Sequence, residues 1–72
     1  MTEIKAEMAA SVLKIEVAPD ASVTAGDEIA ILESMKMEIP ITSPVTGTVT
    51  IVHAAEGAVV DPGDVLLEIN PS

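Results

Sequence analysis

A shift of 37 residues lays this chain onto itself. Ile4 falls on Ile41, Val12 on Val49, Ile15 on Val52, Val23 on Val60, Gly26-Asp27 on Gly63-Asp64, Ile29 on Leu66 and Leu32 on Ile69. Two copies of one pattern require one local structure, and that requirement decides the only ambiguous stretch. Within residues 2–18, Ala6 to Lys14 is rich in helix formers, and Ile4, Met8, Val12 and Ile15 recur at roughly helical spacing. Leu13, Ile15 and Val17 instead alternate with Lys14 and Glu16 at the period of a half-buried strand. The second copy carries Pro44, Gly47, Thr48 and Thr50 where the first has Glu7, Ala10, Ser11 and Leu13, and those residues suit strands and turns. Strand is therefore expected in both copies. A solenoid needs three or more units. Two units related by a quasi-two-fold fit two antiparallel sheets packed face to face.

The expected organisation is one all-β domain over residues 1–72, with half-repeats at about 2–34 and 38–70 joined by a hairpin tip at 35–37. Phe, Tyr and Trp are absent, so the core must be built from aliphatic side chains. Three lysines, no arginine and twelve acidic residues give a formal charge of −9. That field argues against nucleic acid and anionic membranes, and favours a basic protein partner and a chain that is monomeric when isolated. There is no cysteine, and no run resembles a signal peptide or a membrane span, so a cytoplasmic protein is the default expectation.

Most side chains with chemical potential read as structure. Gly26 and Gly63 are expected in tight turns, with Asp27 and Asp64 bonded to turn backbone. His53 lacks a nucleophile or further ligands and falls on Glu16, so it is read as a surface residue. No catalytic or metal-ligating constellation is legible. The exception is Glu33-Ser34-Met35-Lys36-Met37, at the junction of the copies. Strands on both sides make a hairpin whose two central residues, Met35 and Lys36, lack the usual Asn or Gly. Adaptable apolar side chains flank an exposed amine there, as in a surface read by another protein.

This pentapeptide resembles the attachment signature of biotinyl domains. The chain as a whole is similar to the biotinyl/lipoyl attachment family, and in particular to its small stand-alone bacterial members of the biotin carboxyl carrier type. The resemblance spans Val12, Ile15, Val17, Val23, Gly26-Asp27 and Ile29 before the tip, and Pro44, Gly47, Val49, Gly57, Val60, Gly63-Asp64 and Leu66 after it. It implies a flattened barrel or sandwich of two four-stranded antiparallel sheets that does no catalysis itself. It further implies covalent biotin on Lys36, with Glu33, Ser34, Met35 and Met37 read by a biotin protein ligase. The uncharged Lys36 amine would attack the acyl adenylate of biotin with loss of AMP, in surroundings supplied by the ligase. A biotin carboxylase and a carboxyltransferase acting on an acyl-CoA-type acceptor are the implied later partners.

Lys36 is expected to be fully exposed, with the termini at the far end of the barrel. Two departures from the family pattern, Ala10 for glycine and Pro19-Asp20 for a glycine-containing turn, lead us to expect that the first half solves its turns differently. A lipoyl carrier is the nearest alternative, although it usually has Asp-Lys-Ala-like neighbours around its lysine. An unmodified β-barrel interaction or scaffold module is the alternative from another class.

Overall fold

The computed structural model describes residues 1–72 as eight strands without a helix. They are β1 (Thr2–Lys5), β2 (Ala10–Ile15), β3 (Ser22–Val23), β4 (Glu28–Ser34), β5 (Met37–Thr42), β6 (Gly47–Val52), β7 (Val59–Val60) and β8 (Val65–Pro71). Two four-stranded antiparallel sheets result, ordered β1-β8-β6-β3 and β5-β4-β2-β7. Each sheet takes strands from both copies, so the halves interlock.

The duplication extends to individual pairs. Ser11 opposes Glu33, and 37 residues later Thr48 opposes Asn70; Lys14 opposes Ile31 as Ile51 opposes Glu68. Glu28 pairs with Thr42 as Val65 pairs with Lys5, and Ala10 with Val60 as Gly47 with Val23. The irregularities repeat as well. A bulge lies between Val12 and Lys14 and again between Val49 and Ile51. An extra residue on one strand turns neighbouring side chains to the same face. Leu13 is thereby turned outward and left exposed, which corrects the simple alternation of Leu13, Ile15 and Val17 expected from sequence.

Burial follows from the pairing. Val12, Ile29, Leu32, Val49, Leu66, Leu67 and Ile69 are almost wholly buried and form the centre of one aliphatic core. The bulge at Glu28/Ala30 lets consecutive Ile29 and Ala30 both point inward, as Leu66 and Leu67 do beside the matching irregularity of β1 and β8.

The turns also correspond. Gly26 and Gly63 have φ of 95° and 89°, the left-handed region that glycine enters freely. Asp27 Oδ2 accepts from Thr24 N at 2.9 Å and Asp64 Oδ2 from Asp61 N at 2.8 Å. Asp20 overturns an expectation. Its φ is 74° against 88° for the matching Gly57, and its N–H donates to Val49 O as that of Gly57 donates to Val12 O. The first half therefore uses the same turn, held by a residue type that tolerates the left-handed region better than most.

Ala10 and Gly47 do differ. A Cβ on Gly47 would collide with the backbone oxygen of Asn70, because the β6–β8 ladder continues to a Gly47–Pro71 pair. The β2–β4 ladder stops at Ser11–Glu33, and Ala10 keeps its methyl in the core. Gly47→Ala should thus cost about 1–3 kcal/mol through backbone displacement, whereas Ala10→Gly loses only a methyl group and strand preference. Urea unfolding of both variants checks this order.

Glu28 carries the one perturbed ionisation. A hydrogen bond with Glu16, aided by partial desolvation and the Glu16 charge, raises its carboxyl above the usual 4.5. A raised carboxyl favours the protonated folded state, so its stabilisation is present at acid pH and fades as pH rises through the elevated value. Glu28→Gln should then raise Tm at pH 7 and give little gain at pH 4. A gain of equal size at both pH values would rule out the shared proton.

Candidate functional site

β4 and β5 form the longest hairpin, paired from Glu28–Thr42 to Ser34–Met37, and Met35 and Lys36 close it. Both closing residues have positive φ, 53° and 64°, the pair of conformations that a two-residue hairpin loop with the right twist requires. For side chains other than Gly, Asn or Asp this conformation costs roughly 1–2 kcal/mol per residue. The turn thus holds a strained backbone where Asn-Gly would relax it.

Met35 is 92% exposed and Met37, the first residue of β5, 67% exposed. Neither belongs to the core cluster, so packing does not explain the methionines. Lys36 is exposed, as expected, and its amine forms no ion pair; the lysine that does is Lys5, with Glu3. Glu33 and Ser34 end β4, and Ser34 pairs directly with Met37. The five residues singled out in the sequence are therefore contiguous on one projecting tip. Sequence reasoning passed over Glu38, which lies opposite Glu33 one step behind the turn. A hairpin closing on residues 35 and 36 fixes that opposition by arithmetic. Two facing carboxylates repel, so the tip presents a single amine ahead of an acidic pair.

The short turn at residues 6–9 connects Lys5 to Ala10, and Ala10 begins β2 at the level of the tip. The Lys5–Val65 end of the other sheet is therefore the tip end. Thr2 and Pro71 occupy its opposite end. In a domain 35 × 18 × 17 Å, this puts the termini remote from Lys36, as expected. His53 is exposed and its Nε2 lies 2.6 Å from Glu68 Oε2, a surface pair without a nucleophile. No group of three or more His, Cys, Asp or Glu side chains is placed to hold a metal ion.

Lys36 thus presents an exposed amine without an ion pair. Residues 2–69 match the family model described as "Biotin-requiring enzyme". A biotin/lipoyl attachment protein of Bacillus subtilis is 45% identical over 69 residues, which is 96% of this chain and 94% of that protein. A homolog of the biotinylated protein TB7.3, from Mycobacterium leprae, is 40% identical across 94% of this chain and 96% of its own length. Among solved structures, the urea carboxylase of Kluyveromyces lactis superposes with a TM-score of 0.88 at 28% identity, covering 96% of this chain but only 6% of that enzyme. A family model matched over residues 2–69 and two relatives matched over nearly their whole lengths lead to one conclusion: the chain belongs to the biotin/lipoyl attachment domain family.

Proposed function

We propose that this chain is a biotin carboxyl carrier whose attachment residue is Lys36. The observation that carries this reading is the Met35–Lys36 turn. It keeps both side chains in solvent on a strained backbone, with a free amine at the apex and Met37 beside it. In the attachment reaction Lys36 Nζ gives up a proton and becomes the amide nitrogen that holds the cofactor. When bound, biotin supplies a ureido nitrogen that accepts and releases a carboxyl group. The chain's own contribution is position. β4 and β5 fix where the lysine stem begins, and tethering there replaces free diffusion by a high effective concentration at successive active sites. Glu33, Ser34, Met35 and Met37 are the surface a biotin protein ligase would read. A biotin carboxylase and a carboxyltransferase are the enzymes it would serve, and the acyl-CoA-type acceptor belongs to the latter.

Methionine on both sides of Lys36 favours biotin over lipoate at this tip. Peptide mapping after incubation with ligase, ATP and biotin tests the site. A single adduct on the peptide containing Lys36 is expected; an adduct on Lys5 or Lys14 in its place would falsify the assignment.

A further inference from the structure

The duplication supplies an internal control, because surface positions away from the tip and the termini have a structural equivalent in the other copy. At one pair of equivalent places the copies diverge. A groove of about 560 Å³ opens beside β7, the loop before it and the outer face of β1 and β8. No groove opens at the matching place in the first copy. The reason lies in the side chains. Ala54 stands where the first copy has Val17, which widens the floor, and Val59 stands where it has Ser22. Glu3 replaces Pro40 and Glu68 replaces Ile31, while His53 and Val65 replace Glu16 and Glu28. Each copy has two carboxylates here but at different points, and only the second copy pairs them across one ladder on the wall of a groove.

Those carboxylates face each other directly across the β1–β8 ladder, on the outer face of the sheet. Like charges in that relation destabilise a sheet. Their local partners are few: Lys5 approaches Glu3 at 3.6 Å from an exposed position, and one oxygen of Glu68 meets His53. The chain has no arginine with which to bridge them. Val59 at the lip is 74% exposed, second only to Met35 among the large apolar residues. The result is an aliphatic floor with an acidic wall, complementary to a side chain that has an apolar stem and a cationic head.

The groove also has a defined relation to the tip. Val59 pairs with Ser11, which pairs with Glu33, so β7 lies two strands from β4 at the level of the hairpin. Two inter-strand spacings amount to roughly 10 Å. A lysine side chain is short, so an enzyme that acts on its amine must bring its own surface against the domain body. Enzymes that act at the end of a loaded arm have no such need. Resting on the assignment of Lys36 as attachment residue, we propose that this groove is a second docking site for the biotin protein ligase and receives an arginine from a loop of that enzyme. Its guanidinium sits between Glu3 and Glu68, and its stem lies over Ala54, Ala55 and Val59. Arginine is preferred to lysine because two carboxylates on one wall suit a forked, weakly hydrated cation.

Two measurements test this. In a biotinylation assay, the double variant Glu3→Gln, Glu68→Gln should raise KM for the carrier about five- to tenfold with kcat unchanged, the mark of lost uniform binding. Glu16→Gln, Glu28→Gln removes the same charge from the equivalent place and should leave KM within about twofold of wild type. Ala54→Val fills the floor with the first copy's own residue, keeps every charge, and should also raise KM. Equal effects of the two charge variants, or none from either groove variant, overturn the proposal. The second measurement needs no modification of Lys36, so its failure and failure of the attachment assignment are told apart. Titration with acetyl-Ala-Arg-Ala-amide should shift the backbone amide resonances of Glu3, Ala55, Val59 and Glu68, and the corresponding lysine peptide should shift them less. Absence of shifts there, or equal shifts at Glu16 and Glu28, also overturns it.

Discussion

Lys36→Arg will abolish biotin incorporation while leaving the domain folded. The guanidinium stays charged at any accessible pH and offers no nitrogen lone pair for acyl transfer, so loss of the adduct is complete and not graded. The fold has no reason to respond. The residue is exposed, its amine makes no ion pair, and arginine meets the same backbone requirement at φ 64°. Exposed substitutions of this kind usually change stability by less than about 0.5 kcal/mol. The other lysines cannot substitute. Lys5 ends β1 beside Glu3 and Lys14 lies on β2, both on strands and neither on a projecting turn. Intact mass and a streptavidin blot read the adduct, and thermal unfolding reads the fold. An adduct that survives in this variant would remove the basis of the carrier assignment.

The second large effect concerns stability. Leu66 and Ile29 are fully buried at equivalent positions of the two halves. Truncating either to alanine should cost about 2–5 kcal/mol, from lost transfer energy and the cavity left behind. A domain of this size has only about 4–11 kcal/mol in total on a per-residue scale. Either variant therefore stands close to unfolding. Equivalence adds a sharper expectation, because both sites sit in one shared core and are bordered by matching strands. Their urea midpoints should fall by similar amounts. A large cost at one and a small cost at the other would show that the halves repeat in backbone but not in packing.

Much of the architecture was legible because a repeat carries more information than a propensity. Ala6 to Lys14 favours helix when read alone; the alternation from Leu13 to Val17 argues against it, and Pro44, Gly47, Thr48 and Thr50 of the other copy decide the matter. The outward turn of Leu13 was not legible, since a bulge leaves no composition signal and one inserted residue reverses which face a side chain joins. Asp20 misled for a related reason. Its left-handed turn is set by the hydrogen bond to Val49 O, a contact distant in sequence. At the tip the residues were legible from spacing and resemblance, and the opposition of Glu33 and Glu38 follows from the same two closing residues once the strands are counted back from them. The groove beside β7 was invisible to sequence. It depends on small differences in side-chain volume at positions that look interchangeable until the copies are superposed.

The chain ends have the same place in one half that the tip has in the other. Thr2 pairs with Ile69 as Ile39 pairs with Leu32, so the β8–β1 pair is the hairpin's counterpart, severed at its apex. Topologically the fold is a closed loop with one cut, and the cut lies at the far pole from Lys36. Peptide spliced on at either terminus would leave from that pole without touching Lys36 or its neighbours. The module is therefore portable: it can be grafted into long polypeptides, as in the urea carboxylase of which it matches 6%, and still present an unencumbered apex. The same reasoning predicts a viable circular permutant, and marks the Met35–Lys36 turn as the one junction where a new opening would sacrifice the proposed attachment site.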